Sequence, residues 1–356
     1  FYNTGLNVTT TWHYYVDPFE HNRHYIAYTD IGFARSIDSG DTWLFWPYWG
    51  PDKTVPFEWH NTCYEIAFDP EVPGKMWAAF SRAHDIPNWN AIVGNHVSKL
   101  SDSEKKGGIA FSDDFAQNWE YQNWNSGLPG RPTISVIVDP NSPINSRTLY
   151  AAVYEEGVYK STDDGHTWTK KSNGLGAVVN MHVVRLQLHN DGTLFCLVTG
   201  KKGFSPTGVG LFKSTNGGDS WEKVNYSKNF LWPRDFAVDP NNSDIIYLGI
   251  RQANAQSGGL WRTSDGGDSW EAMNTTGNTF GAYFHPNRPG WIYMTLTEGK
   301  NYTHGLWLSK DYGDTWTPYT DIPHAWIQRI TVDPEHDSII YATTFGASVY
   351  KLYADP

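Results

Sequence analysis

Positive charge is scarce in this 356-residue chain: 27 Lys and Arg face 38 Asp and Glu, a formal net charge of -11. A nucleic-acid partner needs a basic face to displace counterions from phosphates, so the balance argues against that class. Long apolar runs are missing as well. No stretch approaches the ~18 residues that suggest a membrane-crossing helix, and no membrane partner is expected. Cysteine numbers only 2, which rules out a disulfide framework. Cys63 and Cys196 fall on strands of different repeats, and each is expected as a free, buried thiol. Methionine is missing at position 1, where Phe1 stands. Together with five Asn-x-Ser/Thr sequons (Asn7, Asn225, Asn241, Asn274 and Asn301) and an acidic balance, this gives the expectation of a secreted, glycosylated protein.

What the chain has in quantity is aromatic and turn-forming residues: 18 Trp, 21 Tyr, 33 Gly and 20 Pro. That composition suits an all-β fold. One eight-residue stretch organises it, Ser161 to Trp168, reading STDDGHTW. Close copies run from Ser36 to Trp43, Ser214 to Trp221, Thr263 to Trp270 and Ser309 to Trp316, and a degenerate copy, SDDFAQNW, from Ser112 to Trp119. The pattern is Ser/Thr-x-Asp-x-Gly-x-Thr/Ser-Trp, an Asp box. Its Asp is expected to accept hydrogen bonds from turn N–H groups, its Gly to supply a positive φ, and its Trp to wedge between neighbouring units.

A second repeat lies between the boxes. Val16-Asp17-Pro18, Phe68-Asp69-Pro70, Val138-Asp139-Pro140, Val238-Asp239-Pro240 and Val332-Asp333-Pro334 each close an apolar run, and Leu188-His189-Asn190 and Phe284-His285-Pro286 fill two further slots. The seven slots are spaced 46 to 52 residues apart, with one interval of 70 between Asp69 and Asp139. A period near 50 with several short strands per unit predicts a seven-bladed β-propeller occupying residues 1–356 as one domain. The seventh unit runs out after its third strand, so Phe1 to Leu6 is expected to complete it and close the ring.

Four residues before each slot's Asp or His stand His13, Glu65, Ser135, Arg185, Asp235, Gly281 and Arg329. Polar side chains recurring inside apolar strands are expected to face a central tunnel. Two readings stay open: a self-neutralising ring of ion pairs, or the floor of an active site. The 70-residue interval comes from a long excursion, Ile86 to Gly107, after Ser81-Arg82-Ala83-His84-Asp85. Long insertions in a tight repeat usually carry function. Trp59 and His60 precede the same blade, and with Arg82 and His84 they are expected to gather on one face. Other blades add Arg131, Tyr154, Arg185, Arg251, His324, Trp326 and Arg329. Aromatic surfaces beside Arg suit a sugar carrying a carboxylate. The expected partner is therefore a plant-type acidic polysaccharide or oligosaccharide, met by a monomer.

The boxes resemble those of sialidases, of xyloglucan hydrolases and of sortilin-type receptors. Thr29-Asp30-Ile31-Gly32 is similar to a Thr-Asp-Val-Gly of the xyloglucanases that carries their catalytic Asp, which implies Asp30 as the base of a hydrolase. The chain also resembles fungal single-propeller lyases that release terminal L-rhamnose from rhamnosyl-α-1,4-glucuronate, a cap on arabinogalactan and gum arabic. That resemblance implies β-elimination with His84 as base, Tyr154 or His60 as acid, and Arg131 or Arg185 on the glucuronate carboxylate. Arg82, Trp59, Arg251 and Arg329 would complete the substrate contacts. It implies no required cofactor and no catalytic metal, and leaves room for a structural Ca2+ in the tunnel. A carbohydrate- or protein-binding propeller without catalysis is the non-enzyme alternative.

Overall fold

A computed structural model describes residues 6, 8–45, 59, 61–86, 88, 96–121, 125–177, 180–200, 206–224, 228–251, 258–274, 278–297, 304–319, 322–324 and 326–353. Seven antiparallel sheets follow one another along the chain, the architecture of a seven-bladed β-propeller. Blade one is a meander of β1 (Thr11–Val16), β2 (His24–Tyr28), β3 (Phe33–Ser36) and β4 (Leu44–Phe45). Blade two has β5 (Thr62–Phe68), β6 (Met76–Ser81) and β7 (Gly107–Ser112), and a two-bond bridge of Phe111 to Glu120 where a fourth strand would lie. Between β6 and β7 sits one helical turn, α1 (His96–Lys99). Blade three has β8 (Thr133–Val138), β9 (Leu149–Val153), β10 (Gly157–Ser161) and β11 (Thr169–Lys170).

Blades four to six repeat the four-strand order with β12 (Val183–Leu188) to β15 (Glu222–Lys223), β16 (Pro233–Asp239) to β19 (Glu271–Asn274), and β20 (Thr279–Phe284) to β23 (Thr317–Tyr319). Blade seven has β24 (Ile327–Val332), β25 (Ile339–Thr344) and β26 (Val349–Tyr353). The strand expected from Phe1 to Leu6 falls on residues 1–5, outside the described residues. The chain divides into two compact units, Phe1–Asn173 with Val183–Leu186, and Gly174–His182 with Gln187–Pro356.

Two kinds of turn recur from blade to blade, most of them built on a carboxylate. In the Asp box of blade three, Ser161 Oγ accepts the Gly165 N–H at 2.9 Å, while Asp163 accepts the Thr167 N–H at 2.9 Å and its hydroxyl at 2.6 Å. The Trp168 indole closes the turn by donating to the Gly165 carbonyl at 2.8 Å. Gly165 takes φ 94°, a conformation L side chains rarely adopt. Exposed Asp38 and Asp311 make the same set, and hydrogen bonds led by the Thr42 and Thr315 hydroxyls hold each carboxyl down at about 2. In the degenerate box Ala116 stands where Gly is expected, and the backbone still goes left-handed, at φ 58°. The Ala116 N–H reaches Ser112 Oγ at 3.0 Å, so the bonds outweigh the strain.

The second turn follows each inner strand. Asp69 accepts the Glu71 and Val72 N–H groups at 2.9 and 3.1 Å, and Asp333 accepts those of Glu335 and His336 at 3.0 Å. Within the first unit the same Asp69 binds blade three. Arg147, buried completely, donates to it through Nε at 2.9 Å and Nη2 at 2.8 Å. Where His replaces the Asp in the second unit, the ring reaches the next blade instead: His189 Nε2 lies 3.1 Å from the Asp239 carbonyl and His285 Nε2 3.3 Å from that of Asp337.

The core packs between sheets. Trp77, Ile109, Val136, Leu149 and Trp168 form one cluster of the first unit, and Tyr293, Leu306, Ile327, Ile340 and Leu352 one of the second. Cys63 and Cys196 are free and buried, as expected.

Two substitutions test this account by thermal or urea unfolding. Asp163→Ala is expected to cost roughly 1–3 kcal/mol by stranding turn N–H groups. Arg147→Met is expected to cost about 3 kcal/mol, because it strips the buried Asp69 carboxylate of its two-bond partner and leaves Lys75, 3.5 Å away, as its one neighbouring cation among the described residues.

Candidate functional site

In the first unit, blades one to three bring chemistry-bearing residues to one end of their sheets. The loop after β2 turns through Asp30 at φ 69° and Gly32 at φ 73°. Gly32 then pairs in parallel with Thr62 at the start of β5, and its N–H donates to the Asn61 carbonyl at 3.3 Å. That stitch sets Asn61 against Asp30, with Nδ2 to Oδ1 at 3.5 Å, while Thr9 donates to Oδ2 at 3.1 Å. The Asp30 side chain is exposed.

The segment after β6 is fixed from beneath by Tyr64. Its buried hydroxyl donates to the Ala83 carbonyl at 2.8 Å and accepts the Ile86 N–H at 3.1 Å. Between these two anchors His84 and Asp85 turn outward, Asp85 at φ 58°. His84 Nδ1 lies 3.0 Å from Asp85 Oδ2, with the side chains 39% and 23% exposed. The Asp85 hydrogen bond raises the His84 pKa above its ordinary value against partial desolvation, and the charges of Asp85 and Asp30 push the same way. Asp30 and His84 therefore share one electrostatic site. The carboxylate only accepts, so neutral His84 keeps its proton on Nδ1 and its lone pair on Nε2.

Blade three borders this end. The Tyr154 N–H donates to the Pro132 carbonyl at 2.8 Å, and the backbone at Arg131 and Pro132 packs on Gly107, where a Cβ would lie 2.8 Å from the Arg131 carbonyl. The blade-two excursion is strapped here. Arg82 N–H donates to the Lys106 carbonyl at 2.8 Å, Arg131 Nη1 to Asp102 at 2.8 Å, and Lys105 pairs with Glu155 at 3.5 Å.

The other expected site residues divide. Arg82 is exposed beside His84, whereas His60 lies outside the described residues. Two expectations are corrected by burial. Tyr154 is 2% exposed, and desolvation holds its phenol well above the usual range, so its hydroxyl is placed in the core instead of facing a substrate. Trp59, 7% exposed, packs on Tyr121 with ring centroids 5.5 Å apart. Arg185 and Arg329 belong to the inner-strand polar set. Glu65 accepts the Ser135 hydroxyl in a short hydrogen bond and the Val136 N–H at 3.1 Å, and lies 3.8 Å from Arg185 Nη1. In the second unit Arg329 Nε pairs with fully buried Asp235 at 2.7 Å. Arg251 is half-buried in blade five, its N–H bonded to the Trp232 carbonyl at 2.9 Å. His324 Nε2 lies 3.1 Å from the Phe345 carbonyl within blade seven. Among the described residues no three His, Cys, Asp or Glu side chains converge as a metal cradle.

One partner escaped the sequence reading. Asp85 adjoins His84 in the chain, but neighbours on an extended strand point apart; only the left-handed Asp85 backbone turns its carboxylate back to the ring.

A family model described as "Sortilin, neurotensin receptor 3" matches residues 209–343. No curated protein matches the sequence significantly. By structure the chain is similar to a GH74 enzyme from Niastella koreensis (TM-score 0.70, 16% identity, 96% of this chain and 52% of that one). It is similar to the GH74 xyloglucanase from Xanthomonas campestris (0.69, 16%, 96% and 52%), and to YCF48 from Cyanidioschyzon merolae (0.65, 13%, 97% and 96%). The chain thus spans about half the length of the two GH74 proteins. These likenesses show the fold.

The His84–Asp85 pair has a titration consequence. Asp85→Asn is expected to lower the His84 pKa toward the ordinary value, read from imidazole proton shifts in NMR against pH. An unmoved pKa would mean the pair does not form in solution.

Proposed function

We propose that the end of blades one to three is the active site of an extracellular polysaccharide lyase acting on acidic glycans. The observation that carries this is the His84 imidazole, partly exposed and fixed at Nδ1 by Asp85. A base so oriented presents Nε2 to a substrate proton. Its surroundings supply cations in Arg82 and Arg131, which suit a substrate carboxylate. In a glucuronate linked through O4, Nε2 takes the C5 proton. The electron pair shifts onto the carboxylate as an enediolate, stabilised by the nearby guanidinium groups. It then returns to form the C4–C5 double bond as the C4–O4 bond breaks, and O4 leaves with a proton. The products are an unsaturated uronate and the released sugar, in the finer form of this reading terminal L-rhamnose from rhamnosyl-α-1,4-glucuronate.

A hydrolase is the second reading. It is favoured by the exposed Asp30 carboxylate in Thr29-Asp30-Ile31-Gly32 and by the GH74 likeness of the fold. The two readings differ in product: elimination leaves an ultraviolet-absorbing double bond, and hydrolysis leaves a new reducing end without one.

With a rhamnosyl-glucuronate glycan, wild-type protein is expected to release unsaturated uronate, and His84→Ala to lower turnover by about two to four orders of magnitude at unchanged melting temperature. The rate of the wild type should fall as pH drops through the raised His84 pKa, since only the neutral ring accepts a proton. Saturated product, lost in Asp30→Ala and kept in His84→Ala, would overturn the lyase in favour of the hydrolase.

A further inference from the structure

The strap Ser101 to Lys106 carries an arrangement that neither reading of the reaction requires. Asp102 is 88% exposed, yet it is the carboxylate on Arg131 Nη1 at 2.8 Å, and Arg131 itself is 33% exposed. Lys105 and Lys106 act on the same carboxylate: with Arg131 they hold the Asp102 carboxyl below its usual range, the Arg131 hydrogen bond leading. Arg131 thus binds this solvent-facing anion directly, while Lys106 and Lys105, the latter paired with Glu155 at 3.5 Å, act on it through charge alone. The strap also has its own internal tie, since Glu104 accepts the Ser101 N–H at 2.9 Å and its hydroxyl at 2.6 Å. Arg82, two residues before His84, donates from Nη1 to the Ser103 carbonyl at 3.4 Å. The anions bordering the nest are therefore Asp102, Glu104 and Glu155, and only Asp102 binds Arg131.

An exposed ion pair of this kind is weak and exchanges readily with other anions. Arg82 ties the strap to the segment that carries His84, where the proposed reaction needs a cation on the substrate. We propose that Arg131, Lys105 and Lys106 form a uronate-carboxylate subsite, and that Asp102 is a tethered carboxylate that occupies it until an acidic sugar displaces it. This rests on the acidic-glycan reading above. A tethered competitor lowers apparent affinity for every anion, and a bidentate sugar carboxylate on a planar guanidinium displaces it better than simple ions do. Asp102 would then set the uronate concentration at which the subsite fills.

The test is calorimetric titration of the full chain with D-glucuronate, with glucose as the neutral control, at low and high salt. Asp102→Asn is expected to bind glucuronate roughly two- to five-fold more tightly than wild type, a gain that shrinks as salt screens the nest. Arg131→Gln, and separately a Lys105→Gln, Lys106→Gln pair, should weaken glucuronate binding at unchanged melting temperature. Asp102→Asn binding no tighter than wild type would overturn the proposal, as would undiminished affinity in the Arg131 and Lys variants. The reaction is scored separately. If the wild type cleaves no acidic glycan while Asp102→Asn still tightens glucuronate binding, the subsite stands and the lyase reading falls. If the wild type cleaves, but Asp102→Asn changes neither affinity nor KM, the subsite falls and the lyase reading stands.

Discussion

Backbone N–H groups gathered by an Asp carboxylate are the interaction on which this protein depends. A four-stranded meander of such short strands has more turn than ladder, and turn N–H groups left bare beneath a neighbouring blade would each cost as much as a lost hydrogen bond. The chain answers with two recurring turns, in most repeats built on a carboxylate. One follows the inner strand, as at Asp69 and Asp333, and the other is the Asp box, as at Asp163. The first also reaches sideways. Asp69 holds Arg147 of the following blade, so one carboxylate both closes its own turn and sets the spacing to its neighbour.

The inner strands show how a regular scaffold yields irregular chemistry. A register shift recurs in β1, β5, β8, β16, β20 and β24, just before or across the polar position of each. A bulge adds a residue and re-aims its side chain. In the first unit Glu65 meets Arg185, and in the second Asp235 meets Arg329, each inside otherwise apolar strands. Those pairs neutralise the inner polar set. The residues left with exposure and charge are those of blades one to three at the loop end, where the repeat is interrupted by its one long insertion.

Repetition made the fold readable. The boxes and the Val-Asp-Pro slots mark turn positions by residue chemistry alone, so strand count and blade count followed from spacing. The candidate site stood out only where it coincided with a break in that spacing: His84 comes just before the excursion, and the Arg131 backbone packs on its last residue, Gly107. Other residues misled because type does not report depth. Tyr154 and Trp59 have the composition of a sugar platform, but both are buried, Tyr154 in the turn that follows β9 and Trp59 against Tyr121. Arg185 and Arg329 occupy the recurring polar position four residues before each slot, and there they meet Glu65 and Asp235, as one of the two readings of that position expected. The Asp102 nest was hidden for a related reason, since its residues come from two segments, the strap and the entry to blade three, that only the fold brings together.

The two cysteines make the molecule a recorder of its own opening. Both are fully buried, and desolvation pushes both thiols up, Cys63 with help from the Glu65 charge. The thiolate is the reactive species, so the folded protein is inert to oxidants and alkylating reagents near neutrality. Each strand must part from its sheet before its sulfur can react. Modification at Cys63 would therefore report loosening around β5, the strand that carries Tyr64 and Glu65 beneath the His84 segment, and modification at Cys196 would report the same for β13 (Leu194–Val198) in blade four. In an oxidising medium the same burial keeps an unpaired thiol from forming mixed disulfides for as long as the blade holds.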